Sequence, residues 1–283
     1  MTARVWRALV ADDNAINLEV AVSLLQQLGL QADAVEGGVQ AVAQAQAVAY
    51  DLIVMDVQMP GVDGIEATRR IRQQSGRQPP VIALTANAGA ADRSACLEAG
   101  MDDYLTKPVL PQMLQLALQR WLPGWTAASA PGTRQHAGAH AGAHVGAHAG
   151  AHAGLAAIAG FDLAGSLQNL GGQMPRLERV LLRFAATYRA GEPALMQAAR
   201  RGDRAALWQV CHSLRGACAV LCATALVQRV EALETALETS LETALNSPPQ
   251  TAPASAVLLD RVRSLQAELV TLARQLETAL ASR

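Results

Sequence analysis

The period of the apolar positions changes once along this chain. Up to about residue 122, short apolar runs alternate with stretches whose apolar residues fall three and four apart; beyond residue 155 only the second kind remains. Short runs of this sort fit strands buried on both faces of a parallel sheet, and the wider spacing fits helices with one buried stripe. Ala8 to Ala11, Gln31 to Glu36, Leu52 to Met55 running into Asp56, Pro80 to Thr85, and Tyr104 to Pro108 read as five strands. Between them lie helical patterns: Ile16, Val20, Leu24, Leu25 and Leu28; Gly38 to Val48 with Val39, Val42 and Ala43 inward; Ile65, Thr68 and Ile71 after Gly64; Ala91 to Ala99; and Leu110 to Leu122. This alternation predicts an α/β fold with a doubly wound, five-stranded parallel sheet.

The second half predicts helices alone. One stripe runs through Leu167 and Leu170 and then, after Gly171-Gly172, Met174, Leu177, Val180, Leu181 and Phe184, and a helix opens near Pro193 and runs to the Gly202-Asp203 break. Asp203 can cap the next helix, with Leu207, Val210 or Cys211, Leu214, Cys218 and Leu221 inward. Leu226 to Leu245 continues as a long helix, residues 246–254 form a proline-rich loop, and Val257 to Ala281 is a last helix that should pack back on the others. His212 lies about 200° around its axis from Leu214, so it points outward. Its outward neighbours are Arg215, Gly216 and Ala219, one cation and two residues too small to cover an imidazole.

Residues 124–154 separate the halves, dividing the chain into 1–123, a linker, and 155–283. The linker carries His136, His140, His144, His148 and His152 at a period of four among Ala and Gly. A helix would align these histidines as transition-metal ligands, but each repeat also holds a Gly that costs about 1 kcal/mol against helix. The segment therefore reads as a low-complexity tether. Some 30 such residues span roughly 30 Å, so the flanking domains can meet without being docked.

Net charge is −1, which gives no surplus for a nucleic-acid backbone. No CxxC pair occurs among the four cysteines, which fits thiols of a reducing compartment, and no apolar run approaches the ~20 residues that span a bilayer. The expectation is a cytoplasmic protein. Cys211, Cys218 and Cys222 read as small packing residues rather than a thiolate cluster.

The chemistry lies where the strands end. Asp12 and Asp13 follow the first strand, Asp56 ends the third, Thr85 the fourth and Lys107 the fifth. In open α/β sheets ligands bind beyond the strand carboxyl ends. Three converging carboxylates would repel one another, and a hard cation with oxygen ligands removes that cost. Mg²⁺ fits, with a substrate phosphoryl group completing its shell. Lys107 supplies a point charge and Thr85 a hydrogen bond to phosphoryl oxygens, leaving Asp56 to attack in line and become an acyl phosphate.

Asp12-Asp13-Asn14-x-x-Asn17, Met55-Asp56-x-Gln58-Met59-Pro60-x-x-Asp63-Gly64, Ala83-Leu-Thr85-Ala-Asn87 and Tyr104-x-x-Lys107-Pro108 resemble the receiver (response-regulator) domain of two-component signalling, in the form carried by hybrid sensor kinases. The resemblance covers about residues 5–123. It implies a flavodoxin-like fold, with Asp56 as phosphoacceptor and Asp12, Asp13 and the Gln58 backbone carbonyl around Mg²⁺. Thr85 and Tyr104 would be the switch pair. Leu170-Gly171-Gly172, Gly202-Asp203 and His212-x-Leu214-Arg215-Gly216-Ala217-x-x-x-Leu221-Cys222-Ala223 resemble a histidine-containing phosphotransfer (Hpt) domain, a four-helix bundle. That likeness implies His212 as a second phosphoacceptor, with Arg215 and Gly216 beside the phosphohistidine. Arg215 stands where the family usually has Lys, and Cys222 where it usually has Gly.

The expectation is a phosphorelay protein in which Asp56 takes a phosphoryl group from a kinase phosphohistidine and His212 exchanges it with Asp56 or another receiver. No ATP-binding segment is present, so the partners would be a sensor histidine kinase, separate or upstream in one polypeptide, and a downstream receiver. The alternative is a non-catalytic switch whose phosphorylation changes binding only, with a degenerate bundle.

Overall fold

The structure is a computed structural model that describes residues 4–74, 76, 78–86, 89–127, 153–245 and 256–281. The histidine tract from 136 to 152, Asn87 and the proline-rich loop lie outside the described residues.

The first half alternates strands and helices as β1 (Trp6–Ala11), α1 (Ala15–Gln27), β2 (Leu30–Val35), α2 (Gly38–Ala47), β3 (Leu52–Asp56), α3 (Gly64–Gln73), β4 (Val81–Thr85), α4 (Ala90–Glu98), β5 (Asp103–Thr106) and α5 (Pro111–Trp121). All pairs are parallel and the order is β2-β1-β3-β4-β5. From β1 the chain moves outward to β2 and then returns to the other side for β3. The carboxyl ends of β1 and β3 therefore flank the switch point, the usual place for a ligand. Every residue of β3 and β4 is buried, as expected of strands covered by helices on both faces.

One helix face differs from its pattern. Val39 is 63% exposed and Ala43 is also exposed, while Gly38 and Ala41 are the buried residues of α2. The cause is Gly38, which lies so close to the Val62 carbonyl that a Cβ there would overlap it. That approach turns position 39, about 100° further round the helix, outward.

The second half is helical throughout its described residues: α6 (Ala153–Ala156), α7 (Leu163–Asn169), α8 (Met174–Tyr188), α9 (Pro193–Arg201), α10 (Arg204–Val220), α11 (Thr224–Leu245) and α12 (Ala256–Ala281). Asp203 caps α10 by accepting from the Ala206 amide at 3.0 Å. α10 packs on α9 and α11, and α12 folds back along α8, α9 and α11, burying Val262, Leu265, Leu269, Leu272 and Leu276.

The two halves are docked. α1 lies against α8 and α10, and one apolar core runs from Leu18 and Leu24 of α1 to Leu177, Phe184 and Leu214. Arg176 donates to the Gln27 carboxamide, and Arg183 reaches Glu19 at 3.6 Å. Trp125, expected at the start of a solvated linker, is buried in the same core.

Candidate functional site

Asp12, Asp13 and Asp56 meet at the switch point, each offering an oxygen within 4.8 Å of the others. Local bonds set their directions. The Asn14 amide and the Asn17 side chain donate to Asp12 Oδ1 at 2.9 and 3.1 Å, and the Gln58 amide donates to Asp56 Oδ1 at 3.2 Å. Gly64 lets α3 start against the Asp56 carbonyl, where a Cβ would collide with it. Lys107, turned inward after β5 where its amide donates to the Thr85 carbonyl, sets Nζ at 2.8 Å from Asp12 and 2.7 Å from Asp56.

The electrostatics are those of a crowded, buried acid cluster. Burial and then Asp12 push the Asp13 carboxyl up to about 6. Burial drives Asp56 up to about 7, against the pull of Lys107 and with further push from Asp12 and Asp13. Burial alone would lower Lys107, but Asp12 and Asp56 hold its ammonium above the ordinary range. Asp13 Oδ1 is buried with no hydrogen-bond partner. Three carboxylate oxygens facing one point, one of them unpartnered, fit a hard divalent cation such as Mg²⁺. Gln58 lines the same crevice. Thr85 is buried at the end of β4, and Tyr104 is half-buried with the Arg93 guanidinium 5.1 Å over its ring.

His212 points away from its own helix stripe, as its spacing predicts, yet it is only 6% exposed. The expected bare imidazole is covered, with Trp208 and Glu234 of its own half against the ring and residues of the first half lining the cavities in front of it. A cavity of about 360 Å³ touches His212 and Trp208 on one side and Asp13, Gln58 and Met59 on the other. A smaller one of about 70 Å³ joins His212, Arg215, Gly216 and Ala219 to Ala86 and Lys107. The helical histidine thus faces the acid cluster of the sheet.

Several groups that hold this arrangement are absent from the sequence reading. The Trp208 indole stacks on the imidazole, ring centroids 5.1 Å apart at 18°, and donates to Glu238 at 3.0 Å. Glu234, buried on α11, lies 3.5 Å from His212 Nδ1 and 3.2 Å from Arg215 Nε, while Arg215 Nη2 is 3.3 Å from the same Nδ1. Whichever tautomer holds, Nδ1 is engaged inside the bundle and Nε2 is the nitrogen left for chemistry. Across the junction, Asn14 Nδ2 donates to Ser213 Oγ at 3.1 Å and Tyr188 Oη at 3.3 Å. Gly216 sits against Asn17, where an added Cβ would come within 2.8 Å of the amide nitrogen.

Cys222, the residue in the usual glycine place, has φ +48°. Its backbone takes the left-handed form that favours glycine. Its sulfur lies where a Cβ added at Gly165 of α7 would meet it, and accepts from Asn169 at 3.3 Å. Burial pushes the Cys211 and Cys218 thiols up to about 12, so they pack as neutral thiols.

Residues 8–119 match the response regulator receiver domain family. Over 240 residues the chain is 35% identical to sensor protein GacS of Pseudomonas syringae pv. syringae, covering 82% of this chain and 25% of that protein. A match of that length extends past the tether into the helical half. Over 117 residues it is 43% identical to signal transduction histidine-protein kinase BarA of Shigella flexneri, covering 41% of this chain and 13% of that protein. The chain thus spans about a quarter or less of these curated relatives. Among solved structures, the receiver domain of sensor histidine kinase PA1611 from Pseudomonas aeruginosa, with magnesium in its active-site cleft, is 47% identical, with a TM-score of 0.40, over 42% of this chain and 98% of that one.

Proposed function

From the premise that the N-terminal half is a receiver domain homologous to those of hybrid histidine kinases, we propose that the chain is a phosphorelay unit whose two acceptors, Asp56 and His212, exchange one phosphoryl group. The helical half acts as an Hpt domain on a four-helix bundle built from α8, α10, α11 and α12. The observation that carries this reading is His212 standing over the Asp12, Asp13, Asp56 and Lys107 crevice with Nδ1 engaged behind it.

In the forward step, an Asp56 oxygen attacks the phosphorus of a kinase phosphohistidine. The P–O bond forms as the donor P–N bond breaks, and the imidazole leaves. Mg²⁺, when bound by Asp12, Asp13, Asp56 and the Gln58 carbonyl, would neutralise phosphoryl charge. Lys107 balances charge on the transferring group, and Thr85 donates to one of its oxygens. His212 Nε2 then attacks the same phosphorus and the aspartyl oxygen leaves as carboxylate. Glu234 and Arg215 hold the ring from the Nδ1 side, and Trp208 fixes its plane. Thr85 and Tyr104 serve as the switch pair. A sensor kinase supplies the phosphoryl group and a further receiver takes it from His212.

The test is to load the chain with labelled acetyl phosphate and Mg²⁺, and separately from a phosphohistidine donor. The reading expects an alkali-labile phosphate lost in Asp56→Asn, and an acid-labile, alkali-stable one lost in His212→Gln. Label on Asp56 but none on His212 from either donor would leave only a phosphorylation-operated switch.

A further inference from the structure

Both proposed acceptors are buried, and the space in front of His212 is shared between the two halves. Asp56 is 1% exposed and His212 is 6% exposed, and both cavities that touch His212 are lined on their far side by receiver residues. A foreign phosphohistidine would have to enter through the mouth where His212 stands. A foreign receiver would need the α8 and α10 face that α1 already covers. We infer that this docking is a closed state that permits transfer within the chain and shields both acceptors from other proteins, so that loading and unloading require it to open. This rests on the relay reading for its purpose but not for its geometry.

The contacts suit a reversible latch. Away from the acceptors, the polar contacts include Arg176 to Gln27 and Arg183 to Glu19, the latter with side chains 50% and 25% exposed. A pair that open contributes less than about 1 kcal/mol. Gly171 lies against Gln27, where an added Cβ would come within 2.6 Å of the carboxamide oxygen, so the surfaces meet closely.

The experiment follows carbethoxylation of His212 by diethyl pyrocarbonate, read by mass spectrometry of its peptide in the full chain without any phosphate. The unaltered chain should react at least about ten-fold more slowly than its denatured form, as a state closed nine-tenths of the time requires. Glu19→Arg with Gln27→Arg sets cations against Arg183 and Arg176, and should speed the reaction severalfold. Adding Arg183→Glu and Arg176→Glu to that chain should restore protection. The first pair changes only the receiver surface, so a broken bundle would not explain its effect. Equal reactivity in all three folded chains, or no return of protection in the fourfold variant, overturns the closed state. Protection that follows the charges while His212 takes no phosphate would keep the closed state and remove the relay.

Discussion

Asp13 and Asp56 hold their protons to higher pH than ordinary carboxyls because burial and mutual repulsion disfavour their charged forms. Both folded values lie above the ordinary 3.8, so the metal-free fold gains stability from these groups at low pH and loses it as pH rises through about 6 and 7. Melting temperatures of metal-free chain should fall between pH 5 and pH 8. Mg²⁺ should reverse most of that fall, and Asp56→Asn should flatten it. A melting temperature that rises over this window would contradict the assignment. At His212, the proposed second acceptor, Glu234→Gln should slow transfer by about ten-fold, the equivalent of 1.4 kcal/mol, since it removes the anion that balances Arg215 and faces Nδ1. Quenched single-turnover labelling measures it. Asp12, Asp13, Asp56 and Lys107 were legible because each follows a strand, and strand ends converge. Glu234 was not, because it sits in a Leu-Glu-Thr repeat that reads as a solvated helix face until α10 is laid against α11.

At the scale of elements, two backbone positions set how Asp56 and the helical half are held. Gly64 admits α3 against the Asp56 carbonyl, so Gly64→Ala must push the helix or strand aside. A loss of about 1–3 kcal/mol in chemical denaturation and a slower phosphorylation of Asp56 are expected. Cys222 works in the opposite sense. At φ +48° it carries a steric cost that glycine lacks, so Cys222→Gly should stabilise the helical half by about 1 kcal/mol. A destabilised variant would mean that its bond from Asn169 outweighs the strain. Strands and helices were legible from period alone, to within a residue or two at most ends. The face of α2 was not, because Gly38 against Val62 is a contact between segments distant in sequence.

At the scale of the molecule, the docked arrangement was invisible in the pattern. The face of α1 that meets the bundle carries Asn17, Glu19 and Gln27 beside Leu18, and the first three read as a solvated surface. Asn14 has two uses, since its oxygen caps α1 while its nitrogen reaches Ser213 and Tyr188. Spacing along one helix cannot report the second. The direct test is a single-turnover experiment in which Asp56 is labelled, excess donor is removed, and label is followed to His212 at several protein concentrations. Transfer between acceptors facing each other in one chain must be first order, with one rate constant across the range. A rate that climbs in proportion to protein concentration, or label that leaves Asp56 without ever appearing on His212, would contradict it.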